Sequence, residues 1–241
     1  MNLILYQAYY DNNQLPILDS TFTPYDNTEN AKPELREYPM WKNLLEKHKG
    51  TDVYWGLLSW RWMQKTELPA SEFRDWILAN PDYDVYHMDP SLEVTANYVN
   101  LWVQGDQWHP GMLKFANRLF PKIGITEKAE ELVYKSDDFA TCNYYIGNSK
   151  FWTEWLTFLD NTLEICRGDG ELYNYLYRDG KGYNGSWIPF FSFVTERLLS
   201  IFLIQNRHIK VKKFPVEHPC YAKRFGSQFH QFVEEYKRKN D

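Results

Sequence analysis

Between Gly56 and Lys65 the chain reads Gly-Leu-Leu-Ser-Trp-Arg-Trp-Met-Gln-Lys, setting two cations four residues apart directly behind an apolar run. Ligands of open α/β sheets sit at the carboxyl ends of strands, and a guanidinium can grip a diphosphate with two parallel hydrogen bonds. Arg61 and Lys65 are therefore candidate phosphate-binding residues. The same residues would also make an ordinary strand end with solvated cations.

Further groups lie downstream. Asp82, Asp84 and Asp89 flank the apolar run Val85–Met88, and hard divalent cations such as Mg2+ or Mn2+ take carboxylate oxygens. Only Asp89 stands at the carboxyl end of that run, which makes it the candidate metal ligand and leaves Asp82 and Asp84 to a helix-to-strand turn. Gln104-Gly105-Asp106-Gln107-Trp108-His109-Pro110 gathers amides, an acid and an imidazole beside a helix break. Asp106 or His109 would deprotonate a hydroxyl there, or Asp106 would cap the turn. Asn143 and Tyr144 close an apolar run and suit a sugar, the amide bonding a hydroxyl and the ring packing on its apolar face. Glu196 and Arg197 interrupt an otherwise apolar helix, where such charges must reach solvent, pair or serve a site.

The elements that must position these residues follow from pattern. Asn2–Tyr10, Asp52–Ser59, Tyr83–Met88 and Asn143–Ile146 are short runs rich in β-formers, and helical spacing between them predicts an α/β chain with a parallel or mixed sheet. Pro33–Lys47 opens as a helix whose start Pro39 bends or delays. Leu68–Asn80 and Val94–Leu119 are helical, the second broken at His109-Pro110-Gly111. Ser149–Leu163, Ile188–Gln205 and Phe225–Lys239 complete the helices, with an edge strand over His208–Phe214. Phe191, Val194, Leu198, Ile201 and Phe202 recur at helical spacing and form the core stripe of Ile188–Gln205. Leu15–Pro33 shows no periodicity and reads as an ordered loop, and the Gly- and Tyr-rich stretch from Arg167 to Ser186 as a flexible loop around a short helix. No repeat and no Gly/Ser linker divides residues 1–241, which predicts one domain.

Bulk composition narrows the function classes. Phe, Trp and Tyr make up 18% of the 241 residues, and such rings fill cores or line sugar and base pockets. A net charge of −5 excludes a sequence-independent grip on nucleic acid. The basic stretch that includes Lys210–Lys213 is either a solvated face or a contact for a phosphorylated ligand or an anionic membrane surface. Three cysteines without CxxC spacing fit a reducing cytosol better than a disulfide frame or a zinc site. No signal peptide or membrane span is apparent, and a cytoplasmic protein is expected.

Taken in order, Glu34–Asn43 (ELREYPMWKN), Gly56–Arg61, Asn143–Leu159 (NYYIGNSKFWTEWLTFL) and Phe193–Leu199 (FVTERLL) resemble segments of bacterial GT-A-type glycosyltransferase-like proteins encoded in capsule and lipopolysaccharide gene clusters. The pieces cover about a third of the chain. The resemblance implies a single-domain, Rossmann-like GT-A fold, a mixed, mainly parallel sheet flanked by helices. It also implies a transferase, of hexosyltransferase type, that moves a sugar from a nucleoside-diphosphate donor to a glycan acceptor in cell-surface polysaccharide synthesis. On that footing the first strand with Tyr6, Arg36 and the strand ending at Arg61 would surround the nucleotide, with Lys65 on the diphosphate. Gln104, Asp106, His109, Asn143, Tyr144, Glu196 and Arg197 would face donor sugar and acceptor, with Asp106 or Glu196 as general base. No Asp-x-Asp closes a strand, so Arg61 and Lys65 would neutralise the leaving group in place of a metal held by Asp89. A non-catalytic carbohydrate-binding protein of the same fold is the alternative, and a nucleotide-sugar hydrolase or nucleotidyltransferase a third reading.

Overall fold

The computed structural model describes residues 1–30, 32–181 and 187–240. Eight strands follow in chain order: β1 (Asn2–Tyr9), β2 (Thr23–Asp26), β3 (Val53–Ser59), β4 (Val85–His87), β5 (Tyr145–Gly147), β6 (Asp179–Lys181), β7 (Trp187–Pro189) and β8 (Val211–Lys213). Six of them form one sheet in the order β2-β1-β3-β5-β4-β8. The β2, β1 and β3 strands are mutually parallel, β5 runs antiparallel to both β3 and β4, and β4 is parallel to β8. Only β5 is reversed. The expected α/β architecture with a mixed, mainly parallel sheet is what forms, and β1 and β8, from opposite ends of the chain, share it. The remaining pair, β6 and β7, is a separate antiparallel ribbon.

Helices are α1 (Tyr38–Lys47), α2 (Trp62–Thr66), α3 (Ala70–Ala79), α4 (Leu92–Asn97), α5 (Leu101–Trp108), α6 (Met112–Leu119), α7 (Ser149–Arg167), α8 (Gly170–Tyr177), α9 (Phe190–Gln205), α10 (Pro219–Phe225) and α11 (Phe229–Asn240). They cover both faces of the sheet. Alternation along each strand sends Tyr6, Trp55, Leu57, Val85 and Tyr145 into one core, and Leu5, Leu58, Tyr86, Tyr144 and Ile146 into the other. The first core holds α1, α5, α6, α7 and α9. There Trp152 of α7 stacks on Trp55 of β3, centroids 3.8 Å apart and planes within 3°, while its indole N–H donates to the Trp55 carbonyl at 2.8 Å. An aromatic pair adds about 0.5–1.5 kcal/mol beyond its buried area. The second core holds α2, α3, α10 and α11. No helix among the described residues is long and apolar enough to cross a membrane.

Several boundaries differ from expectation, each for a local reason. The helix read from Pro33 is a 3-10 turn over Pro33–Leu35, then a break at Arg36, then α1 from Tyr38, so Pro39 delays the start rather than bending a continuous helix. The loop read over Leu15–Pro33 contains β2, an edge strand whose Pro24 has no ladder donor to lose on its outer side. The stretch from Arg167 to Ser186 holds α8 and β6, and its residues 182–186 lie outside the described ones. The final helix, expected over Phe225–Lys239, is α11 from Phe229 behind a 3-10 turn over Gly226–Gln228, and the unforeseen α10 ends before it at Gly226, whose φ of +53° suits glycine.

Candidate active site

Because only β5 is reversed, the carboxyl ends of β1, β3 and β4 and the amino end of β5 meet along one edge of the sheet. At β3 the chain leaves the strand after Ser59 and coils into α2. Trp60 and Trp62 therefore stand beyond the strand, Trp62 as the first residue of α2. Trp62 is fully buried, ring against Phe73 and Tyr144, its indole N–H donating to the Leu68 carbonyl at 2.6 Å. That plug fixes α2, and one turn on it delivers Lys65 to the sheet edge, its ammonium 5.7 Å from the centre of the Tyr144 ring. Arg61 stays exposed at the rim, its Nε donating to Gln64 at 3.2 Å beside the Trp60 ring.

Two cavities open along this edge. The first is walled by Tyr10, Glu37, Ser59, Cys142, Asn143 and Tyr144. The second, of about 330 Å3, is walled by Leu101, Gln104, His109, Thr141, Phe193 and Arg197. Lys65 and Glu196 line both. The two cavities are thus lobes of one cleft, with an ammonium and a carboxylate at the junction.

The face that α9 turns to the cleft carries Phe193, Glu196 and Arg197, the spacing that aligns side chains on one side of a helix. Burial raises the Glu196 carboxyl above the usual glutamate range, against the lowering fields of Lys65, Arg197 and Arg36. Lys65 is pushed up, first by the Cys142 sulfur when ionised and then by Tyr144 and Glu196. Burial pushes Cys142 itself to about 11, so near neutral pH its thiol is protonated and the anions that hold Lys65 charged reduce to Glu196. Tyr144 is 2% exposed, and its hydroxyl, facing Ser59, has no hydrogen bond of good geometry among the described residues. A buried hydroxyl in that position is free to bond a ligand.

Arg36 sits at φ +50° and ψ −121°, a backbone strain of about 1–3 kcal/mol of the kind that collects at functional sites. Its charge reaches both Tyr10 and Glu196, while its side chain is not among the walls of either lobe. Tyr10 donates to Glu37 at 3.2 Å in the first lobe. His109 stacks on Phe193, centroids 3.5 Å apart, and burial with the neighbouring Arg197 lowers it to about 4, so its imidazole is neutral.

The structure therefore brings Lys65, Gln104, His109, Asn143, Tyr144, Glu196 and Arg197 to one cleft, and leaves Arg36 and Arg61 outside its walls. It does not bring Tyr6, Asp89 or Asp106. Tyr6 belongs to the first core, its hydroxyl 3.0 Å from Nε2 of His48. Asp106 accepts the backbone N–H groups of Gly111 and Leu113 at 2.9 and 3.0 Å, pinning the turn into α6. Asp89 is buried, accepting from the Ser91 N–H at 2.9 Å, the Thr95 hydroxyl at 2.7 Å and the Thr141 hydroxyl. Those bonds use three of the carboxylate's roughly four acceptor sites, and among the described residues no three His, Cys, Asp or Glu side chains are placed to share a metal ion. Asp84 accepts from Lys210 N and Asn148 at the amino end of β4, the turn role expected of it.

In the basic stretch, Lys213 donates to the carbonyls of Ser136 and Phe139 and Lys212 lies over the Tyr83 ring. Tyr10, Glu37, Ser59, Thr141, Cys142 and Phe193 line the cleft without having been singled out as ligand residues in sequence. For Phe193 the signal existed: it precedes Glu196 and Arg197 by one helical turn. Comparison of the chain with family models, with curated proteins and with solved structures gave no match in any of the three.

Proposed function

We propose that this protein is a glycosyltransferase that moves a sugar from a nucleoside-diphosphate donor to a hydroxyl of a glycan acceptor. The observation that carries the reading is the junction of the cleft, where Lys65 and the raised-pKa carboxylate of Glu196 stand between two lobes at the carboxyl edge of the sheet. In this reading the donor's reacting end lies at the lobe of Tyr10, Asn143 and Tyr144, which at about 70 Å3 leaves the nucleotide outside it, and the acceptor takes the lobe of Gln104, His109 and Arg197. Glu196 takes the proton of the acceptor hydroxyl, whose oxygen bonds the anomeric carbon as the bond from that carbon to the diphosphate breaks. Lys65 and Arg36 stabilise the charge that develops on the departing diphosphate. With Asp89 occupied by its own chain, the donor set does not fit a metal cage, and these two cations carry that task. The GT-A type of fold, and a role in capsule or lipopolysaccharide synthesis in the cytoplasm, belong to the same proposal and rest on the resemblance of the segments given above.

Thermal unfolding with UDP-, GDP-, CMP- and dTDP-sugars tests it. One nucleotide class should stabilise the protein, by about 2.7 kcal/mol at a hundredfold excess over Kd, and Lys65→Ala should remove the effect. A carbohydrate-binding protein without catalysis would respond to glycans and to none of the four. Absence of any nucleotide-dependent shift would end the transferase reading.

A further inference from the structure

Arg197 is 6% exposed, on a helix whose other inward residues are mostly apolar. Among the described residues its three hydrogen bonds go to uncharged partners: Nε to the Leu101 carbonyl at 2.8 Å, one terminal nitrogen to the Phe193 carbonyl at 2.6 Å, the other to Oε1 of Gln104 at 2.6 Å. A guanidinium has five N–H groups. Two are left, one on each terminal nitrogen, and the residue lines the second lobe of the cleft. A buried cation held only by neutral acceptors is costly unless an anion completes it. The carboxylate acting most strongly on it is its chain neighbour Glu196, which lines the junction and is itself shared with Lys65. The backbone around Arg197 is shaped for it. Gly105 of α5 packs so closely that a Cβ there would land on the guanidinium.

The other walls suit a sugar ring. The stacked His109 and Phe193 provide a flat apolar side, the unused amide N–H groups of Gln104 and the Thr141 hydroxyl provide polar contacts, and about 330 Å3 lies near the lower end of small-molecule sites. We propose that this lobe binds an acidic sugar, one whose carboxylate or phosphate is gripped by the two free N–H groups of Arg197, end-on and bidentate. Calling that sugar the acceptor rests on the transferase reading; the anion grip does not. With its acid on Arg197, one turn of α9 away from Phe193, the ring lies against the lobe's aromatic wall and reaches toward Glu196 at the junction.

Titration calorimetry on the full chain, without nucleotide, tests the grip. Glucuronate and galacturonate are compared with glucose and galactose, and glucose 6-phosphate separates phosphate from carboxylate recognition. At least one acidic sugar should bind tenfold or more tightly than its neutral counterpart, with affinity falling as salt rises. Arg197→Gln should abolish the preference but risks the fold. Gln104→Glu is the second variant: it hands the guanidinium an internal carboxylate in place of a near-identical amide, and should erase the preference in a protein that melts no lower than the parent. Equal binding of acidic and neutral sugars, or binding of neither, overturns the proposal, as does a preference that survives Gln104→Glu. A protein that prefers the acid yet responds to no nucleotide-sugar keeps this inference and loses the transferase reading.

Discussion

A carboxylate on an apolar helix must be hydrated, paired or protonated, and Glu196 is drawn in two directions at once. Burial favours its neutral form, while Lys65, Arg197 and Arg36 favour the ion, and the balance leaves its pKa raised. The sign of the consequence is fixed by linkage. Between the unfolded and folded pKa values the native state holds a proton that the unfolded chain has lost, so the stabilising contribution is full below the ordinary glutamate value and disappears as pH rises through the raised one. Once ionised, above that range, the carboxylate is thus a burden on the fold that function requires. Glu196→Gln should raise the melting temperature at pH 7 while lowering transfer by about 10²–10⁴, the range of a lost general base. Calorimetry with initial rates on the same preparation checks both. A variant that melts lower and transfers at the parental rate would remove Glu196 from the mechanism. In the parent, the acid limb of the rate profile should lie above that of an ordinary glutamate.

At the scale of elements, the site depends on two helices meeting at closest approach. Glycine inside α5 is unfavourable by about 1 kcal/mol relative to alanine on helix propensity alone, so Gly105→Ala on a free surface would stabilise. Here the added methyl meets the Arg197 guanidinium, and overpacking of this kind costs about 1–3 kcal/mol. Set against the propensity gain of about 1 kcal/mol, urea unfolding should show Gly105→Ala destabilised by up to about 2 kcal/mol, and a stabilised variant would mean that α5 and α9 do not pack as described. The same pair shows how far sequence reaches. The stripe Phe191, Val194, Leu198, Ile201 and Phe202 predicts α9, and Glu196 and Arg197 are conspicuous against it. Their partner Gln104 is found beside a helix break, but nothing local says that the two segments meet, because β5 entering antiparallel between β3 and β4 decides it. Five-residue α2 was equally hidden: Trp62 anchors it through contacts with Phe73 and Tyr144, both distant in sequence. For Asp89 and Asp106, residue type gave the chemistry available, while backbone N–H groups and hydroxyls within reach decided its use.

For the whole molecule, the polar groups enclosed with the sheet set its response to acid. His87 lies on β4, 1% exposed, with neither ring nitrogen hydrogen-bonded among the described residues. Burial, then the field of Lys213, lowers its pKa, and His48 and His109 are lowered by burial as well. A depressed histidine contributes stability that is complete above the unfolded value of about 6.5 and is lost as pH falls toward the folded one. Each histidine so held makes the unfolded state bind an extra proton, a loss of about 1.4 kcal/mol per pH unit once well below 6.5. Raised Glu93 and Glu196 act in the opposite sense. The depressed aspartates, such as Asp84 and Asp169, titrate in unfolded chains near 4, below the range from pH 7 to 5. The balance in that range is three histidines against two glutamates, with His87 the most deeply enclosed of the histidines. Unfolding free energy should fall from pH 7 to pH 5, and His87→Leu should flatten the slope by close to one proton, whatever its effect at a single pH, because a packing change is the same at both. Urea unfolding at pH 5, 6 and 7 on the two proteins reads this directly. Parallel slopes would place the acid sensitivity elsewhere and leave His87 without a part in it.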